Sequence, residues 1–452
     1  MAQTFTLQNT AKVHQNMPKR IKRHMNPDTY CILPFNHLSI DPVGHVRPCC
    51  NYDIHSKTFK ESGVPMDKVQ DVDNPMDNLW HKQLREDIKD GKRHSLCKRC
   101  WTVEDNGGFS YRQNYNQWFM DPKSDMYMGY TEPPTEIKIE YVEMTLGNKC
   151  NIQCRMCNPW SSSMWQEDMV HHPQLDFWRT KYDNLTFDWY ESDRFEKILT
   201  DILPTVKHIN FLGGEPLFNE KYYQIMERIM QSGRAEEISI QFNTNGLAIQ
   251  DKSKESWNRL KKVGFNLSCD GIGAVNEYVR WPGKWSKWER NMNKLKTWRK
   301  ELGKINWENI QESKWTFQFH STMSSLTWLN FPDLLRYTAK FDGHSGLFPF
   351  AIQVTQPEYM DPIHMPDEIK EKGYKAITET IAEVKTQAKP WHWVDSKNIE
   401  GLMNHVMNTP RDESMWEQMI FESNKLDRIR NSCILDIVPE FKDYWHDANV
   451  PL

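Results

Sequence analysis

Cys150, Cys154 and Cys157 stand in one short string, Cys150-Asn-Ile-Gln-Cys-Arg-Met-Cys157, a C-x3-C-x2-C spacing. Three thiolates this close on one loop can all reach a compact inorganic core, which is what an iron–sulfur cluster needs. Three ligands also leave one iron without a protein donor, open to a small molecule on which chemistry can be done. Zinc usually closes its site with four ligands, often as two C-x2-C pairs, so the trio suits zinc poorly. A zinc site or buried free thiols is the plainer alternative.

Five more cysteines lie upstream: Cys31, Cys49, Cys50, Cys97 and Cys100. The stretch from Cys31 to Cys50 reads as a β-hairpin turning at Asp41-Pro-Val-Gly44, which brings its two ends together. Cys97 and Cys100 form a C-x2-C. Cys31, Cys49, Cys97 and Cys100 then make a four-thiolate cage for a second metal centre. Neighbours on an extended chain point to opposite sides, so Cys49 and Cys50 should not both ligate; the spacing favours Cys49. A structural zinc ribbon is the alternative here. Glu104, Gly107, Gly108, Ser110 and Arg112 follow the C-x2-C. They read as a surface loop, or as donors that tune a neighbouring cluster.

The trio follows an apolar-alternating run, Ile137–Leu146, at the mouth of an expected strand. Strands are expected at 138–146, 207–212, 237–243, 264–269, 315–322 and 348–354, with helices near 192–203, 218–232, 254–262, 284–301 and 329–340. Six β-then-α units in series imply a parallel sheet with crossover helices, and six strands suit an open, partial barrel. Two prolines in Thr131-Glu-Pro-Pro-Thr-Glu136 suggest a linker. The expected division is a polar, basic arm at 1–30, a cysteine-bearing region at 31–130, a barrel at 131–360 and a helical extension at 361–452, with helical spacing over 397–430.

Functional residues of such a sheet collect at the carboxyl ends of its strands. The second strand ends Gly213-Gly214-Glu215, where glycines let backbone approach a ligand and Glu215 sets a carboxylate beside it. The alternative is an ordinary turn. The fourth ends Ser268-Cys-Asp-Gly271, followed by Arg280, which would meet a carboxylate or ribose, or form a salt bridge. Cys269 points away from Ser268 and Asp270 and reads as a buried thiol. Gln318 and His320 share one face of the fifth strand, as cavity lining or satisfied core groups.

In this order, C-x3-C-x2-C, G-G-E and S-x-D-G with a downstream Arg, the region 137–355 resembles the radical S-adenosylmethionine (radical SAM) core. The resemblance implies a [4Fe–4S] cluster on Cys150, Cys154 and Cys157, with SAM chelating the remaining iron. Gly213, Gly214 and Glu215 would contact its amino group, and Ser268 and Arg280 its ribose or carboxylate. Met156 stands where the family prefers an aromatic residue and would pack on the adenine. The upstream cysteines resemble the twitch domain, the short relative of the SPASM domain, which holds an auxiliary [4Fe–4S] cluster. In familiar examples that module follows the barrel, whereas here it precedes it.

The resemblance implies an enzyme that reductively cleaves SAM to a 5′-deoxyadenosyl radical and takes a hydrogen atom from a substrate. A peptide, protein or small molecule is the expected substrate, with flavodoxin or ferredoxin as electron donor. The rival is a non-catalytic iron–sulfur or zinc protein serving electron transfer or structure. A formal charge of −4 does not favour nucleic acid, and the basic cluster Lys19–Arg23 alone supports an RNA-modifying reading. No run of eighteen apolar residues suggests a membrane span. No apolar signal segment is apparent, so a reducing, cytoplasmic setting is expected, where thiols bind metal rather than pair. Hydrophobic residues are only 38% of the chain, yet nineteen Trp and twenty Phe supply enough burial for a globular fold.

Overall fold

The computed structural model describes residues 26–54, 56–122, 124, 126–130, 132–172, 175, 185–303, 313–341, 348–388 and 395–446. The basic cluster at 19–23, most of the expected arm and much of the Trp160–Tyr190 stretch lie outside these residues.

All six expected strands form: β3 (Tyr141–Thr145), β4 (His208–Leu212), β5 (Ser239–Thr244), β6 (Lys262–Ser268), β7 (Trp315–Met323) and β8 (Phe350–Gln353). Two more join them from the N-terminal region, β1 (His37–Ile40) and β2 (Val46–Arg47). The result is one mostly parallel sheet ordered β2-β1-β3-β4-β5-β6-β7-β8. The hairpin was expected to stand alone with the cysteine region. Instead β1 pairs antiparallel with β2 and parallel with β3, His37 opposite Tyr141 and Ile40 opposite Met144. All four residues of β1 are buried, so its second edge needs hydrogen-bond partners that water cannot supply.

The chain packs as two compact units that do not follow linear order. One runs to Gly147 and takes in Leu185–Leu212 and Gln224–Ile240; the other holds Asn148–Asn184, Gly213–Tyr223 and Gln241 onward. The proline linker does not end a unit, because Tyr141 of β3 packs in one apolar cluster with Tyr30, Phe35, Leu84 and Phe119.

Local sequence explains the helices. In α5 (Asp193–Ile202), Phe195, Ile198, Leu199 and Ile202 recur at helical spacing and are buried. Ser192 caps it by accepting from the Phe195 N–H at 3.2 Å. In the second unit Trp315, Phe317 and Phe319 of β7 are fully buried, alternating with less buried Gln318 and His320. Trp257, from α7 (Ser253–Arg259), packs against Phe242, Phe265 and Trp315, so helices cover that face. The helical spacing over 397–430 resolves into two helices, α12 (Lys397–Asn408) and α13 (Glu413–Arg430). Pro410 breaks the run, and Asp412 starts the next helix by accepting from Ser414 N–H at 2.9 Å.

Candidate metal centres

The loop after β3 is locked by its own backbone and by the segment that follows β6. Ser163 N–H donates to Asn148 O at 2.8 Å, and Ser162 Oγ donates to Ile152 O at 2.8 Å. Gln153 N–H reaches Trp281 O at 2.6 Å and Arg155 N–H reaches Val279 O at 2.8 Å. Trp165, from α4 (Ser163–His171), donates its indole N–H to Cys154 O at 3.1 Å. Cys150 is buried, and Cys154 and Cys157 are partly exposed. Burial pushes the Cys150 thiol up to about 12, and Cys154 adds to the rise. Burial likewise raises Cys157, with Cys154 and Cys150 adding to it. Burial raises Cys154 as well, so a cation is needed at these thiols before all three can ligate as thiolates, which suits an iron–sulfur donor set.

Packing alone requires a glycine at Gly214. A Cβ there would lie 2.4 Å from Lys149 O and 2.5 Å from Asn148 O. Only glycine lets the cysteine loop rest on this turn. Gly213 beside it has φ +119°, open to glycine alone. The Glu215 carboxylate is buried and fully engaged. It accepts from Thr244 Oγ1 at 2.7 Å, Asn245 N–H at 2.6 Å and Leu217 N–H at 3.1 Å. Burial outweighs these donors and nearby Arg280, raising it to about 7.

Arg280 forms the salt bridge among its alternatives, Nε to Asp270 at 2.7 Å, with Nη1 4.0 Å from Cys154 Sγ. Asp270, absent from the expected ligands, also accepts from Thr322 N–H at 2.7 Å. Ser268 and Met156 are half-buried, at the end of β6 and within the cysteine loop respectively. Cys269 is fully buried and donates to Gly271 O, as a packed thiol. His320 is half-buried beside Phe350, and burial lowers its pKa to about 4.

Two arginines escaped the sequence reading. Arg155, inside the cysteine string, is buried, pairs with Asp427 and lies 3.7 Å from the Tyr278 ring centroid. Arg430 closes α13 and packs between Trp165 and Trp281. Arg155 could have been noticed from its place between two ligands. No motif marks Arg430.

In the first unit Cys31, Cys49, Cys97 and Cys100 line one cavity, with Leu84 and Ile88 of α1 (Leu79–Lys89) behind them. Burial raises Cys49 and Cys97 well above the usual thiol value, and the other thiols of the set add to it. Burial pushes Cys31 up to about 12. Cys50 faces elsewhere and donates to Tyr111 Oη at 3.2 Å. Cys97 caps α2 (Lys98–Asp105) and Cys100 sits in its first turn, where the helix end favours thiolate. Among the described residues no three His, Cys, Asp or Glu side chains converge on one metal ion; the four thiols instead surround a space.

Gly107 and Gly108 follow the end of α2, with Gly107 exposed in a turn as a surface loop would have it, but Glu104, Ser110 and Arg112 do not belong to a surface loop. Arg112 is 4% exposed and pairs with Glu104, Nη2 to Oε2 at 2.5 Å. Its Nη1 donates to Tyr30 O at 2.6 Å. One turn along α3 (Tyr111–Met120), Asn116 donates to Tyr30 O at 2.8 Å and accepts from Ile32 N–H at 2.9 Å. These two residues grip the peptides on both sides of Cys31. Buried, close-packed neighbours explain the departure from the loop reading.

The geometry defines a mostly parallel α/β sheet protein that carries two sets of candidate cysteine ligands. Residues 144–306 match the radical SAM superfamily, and residues 31–101 match the SPASM iron–sulfur cluster-binding domain. By these matches the chain carries a radical SAM core with a SPASM domain N-terminal to it. It is similar to the GTP 3′,8-cyclase of Staphylococcus epidermidis, 29% identical over 138 residues, covering 30% of this chain and 33% of that protein. The corresponding cyclase of Clostridium acetobutylicum is 24% identical over 137 residues, covering 30% and 36%. The match thus spans about a third of these curated relatives. Among solved structures, anSMEcpe with bound AdoMet aligns at TM-score 0.37 and 17% identity, over 55% of this chain and 59% of that one. Streptococcus suis SuiB bound to S-adenosylmethionine aligns at TM-score 0.33 and 13% identity, over 55% and 45%. Among the described residues no helix is long and apolar enough to cross a membrane.

Proposed function

We propose that this protein is a radical SAM enzyme that acts on a peptide or protein, with a second, auxiliary [4Fe–4S] cluster. The observation that carries the reading is the loop after β3, which holds Cys150, Cys154 and Cys157 in one short, hydrogen-bonded stretch of backbone. Those three residues would hold the SAM-binding cluster, and Cys31, Cys49, Cys97 and Cys100 the auxiliary one. Bound there, the core cluster would supply one electron for cleavage of SAM to methionine and a 5′-deoxyadenosyl radical able to take a hydrogen atom from an unreactive C–H bond.

The chain's own residues fix geometry. Gly214 seats the loop on the turn after β4, and Glu215 ties that turn to Thr244 and Asn245. Gly213, Gly214, Glu215, Ser268, Arg280 and Met156 are the proposed SAM contacts. For Glu215 and Arg280, whose side chains are already engaged, the contact would be through backbone or by charge.

A peptide suits the face of β5–β8 opposite Trp315, Phe317 and Phe319. Gln241 Nε2 donates to Asn266 Oδ1 at 3.1 Å, and Asn266 Nδ2 to Asn243 Oδ1 at 2.6 Å. Gln318 and His320 continue this face, and Phe350 and Ile352 are 45% and 50% exposed on it. Amides beside open apolar side chains match a polypeptide, whose backbone and side chains present both chemistries. A four-cysteine site leaves no iron open, so the auxiliary cluster would carry electrons, with flavodoxin or ferredoxin as donor in a reducing cytoplasm.

Anaerobic reconstitution should give about eight iron atoms per chain. Reduced protein given SAM should release 5′-deoxyadenosine, and a deuterated peptide substrate should pass its label into that product. Iron loading without release, under a reductant that reduces the cluster, would establish the non-catalytic rival. Label transfer from a small molecule alone would replace the peptide.

A further inference from the structure

Arg430 is 7% exposed, and none of its three guanidinium nitrogens has a hydrogen-bond partner. Trp281 and Trp165 lie 4.9 and 5.3 Å from its guanidinium carbon by ring centroid. Two ring faces attract a cation but do not accept its N–H bonds, so its burial calls for an anion. The other arginines near the cysteine loop are matched: Arg155 by Asp427 and Arg280 by Asp270. Asp168 acts on Arg430 by charge without a hydrogen bond to it, while accepting from Gln153 Nε2. The indole of Trp165 links Arg430 to the cysteine loop, packed on Arg430 and bonded to Cys154 O.

We propose that Arg430, carried in by the C-terminal helix, is the counter-charge to an anionic iron–sulfur cluster on Cys150, Cys154 and Cys157, and raises its reduction potential. This rests on the cluster reading above. Reduction adds one negative charge to a centre already anionic from its thiolates, so a fixed cation nearby favours the reduced state. Arg430 is a positioning residue that acts through charge and touches no reacting atom.

The test is a redox titration of the reconstituted full-length protein without SAM, read by electron paramagnetic resonance. The core cluster is the signal that changes when SAM is then added. Arg430→Met should make reduction about tenfold less favourable, a shift of ~59 mV to more negative potential. Arg430→Lys should restore most of it, which a purely packing role would not require. Asp168→Asn, which removes an opposing charge, should move the potential the other way, and it decides the matter if Arg430→Met does not fold. Unchanged potentials in Arg430→Met and Asp168→Asn overturn the proposal. So does a loss of SAM affinity in Arg430→Met at unchanged potential, which would assign the charge to the SAM carboxylate. A wild type that loads no core cluster would instead refute the reading on which this rests.

Discussion

The two cysteine sites are built in opposite ways. The core trio comes from one eight-residue string, and its loop backbone, with two backbone bonds to the segment after β6, holds it together. The upstream four come from three separated segments, and a buried ion pair and an asparagine clamp hold those segments in place. A site made by one loop should tolerate the loss of distant packing. A site made by three segments should fail when the packing between them fails, even with every ligand present.

The sharpest break is Cys154→Ala. It should abolish 5′-deoxyadenosine release and lower iron from about eight to about four atoms per chain, by colorimetric assay. Cys97→Ala should lose a similar amount of iron and most substrate turnover, yet keep measurable SAM cleavage. Wild-type turnover in that variant would remove the auxiliary site from the electron route.

Arg112→Met tests packing without touching a ligand. It leaves the Glu104 carboxylate without its counter-charge, held only by Ser110 Oγ, which costs about 3 kcal/mol. Denaturant unfolding should show that loss, and iron should fall at the four-cysteine site while SAM cleavage persists. Equal loss at both sites would erase the contrast.

Glu215 probes the core site by pH. Its folded-state value, about 7, lies above the ordinary 4.5, so the folded state keeps a proton that the unfolded state has released. Stability should therefore fall as pH rises from about 4.5 to 7, by roughly 3 kcal/mol. Glu215→Gln should flatten that part of the stability profile. A parallel slope in both proteins would assign the dependence to other groups. Smallest of all, Cys50→Ser should leave iron content within error of wild type, whereas Cys49→Ser should lose the upstream cluster.

Much of the site was legible because its signals are local. C-x3-C-x2-C, G-G-E and S-x-D-G each sit within a few residues, and period-two burial such as that of β7 placed them at strand ends. Glu104 and Arg112 were misjudged for the opposite reason. Polar residues and glycines in sequence look like a loop, and nothing nearby reveals that Arg112 reaches Tyr30 O, 82 residues away. Arg280 was legible as a candidate but not in its partner, since the ligand and salt-bridge readings differ only in where Asp270 ends up.

The amino-acid order alone determined which thiols could form clusters, how strands and helices alternate, and that the trio would emerge at a strand end. These follow from covalent spacing and backbone periodicity, which act over a few residues. Tertiary structure decided that β1 joins the sheet, that Gly214 carries the cysteine loop, that Cys49 and not Cys50 faces the upstream cavity, and that Arg155 meets Asp427, 272 residues along the chain. Burial and charge pairing depend on which surfaces meet after folding, and no short window of sequence contains that information.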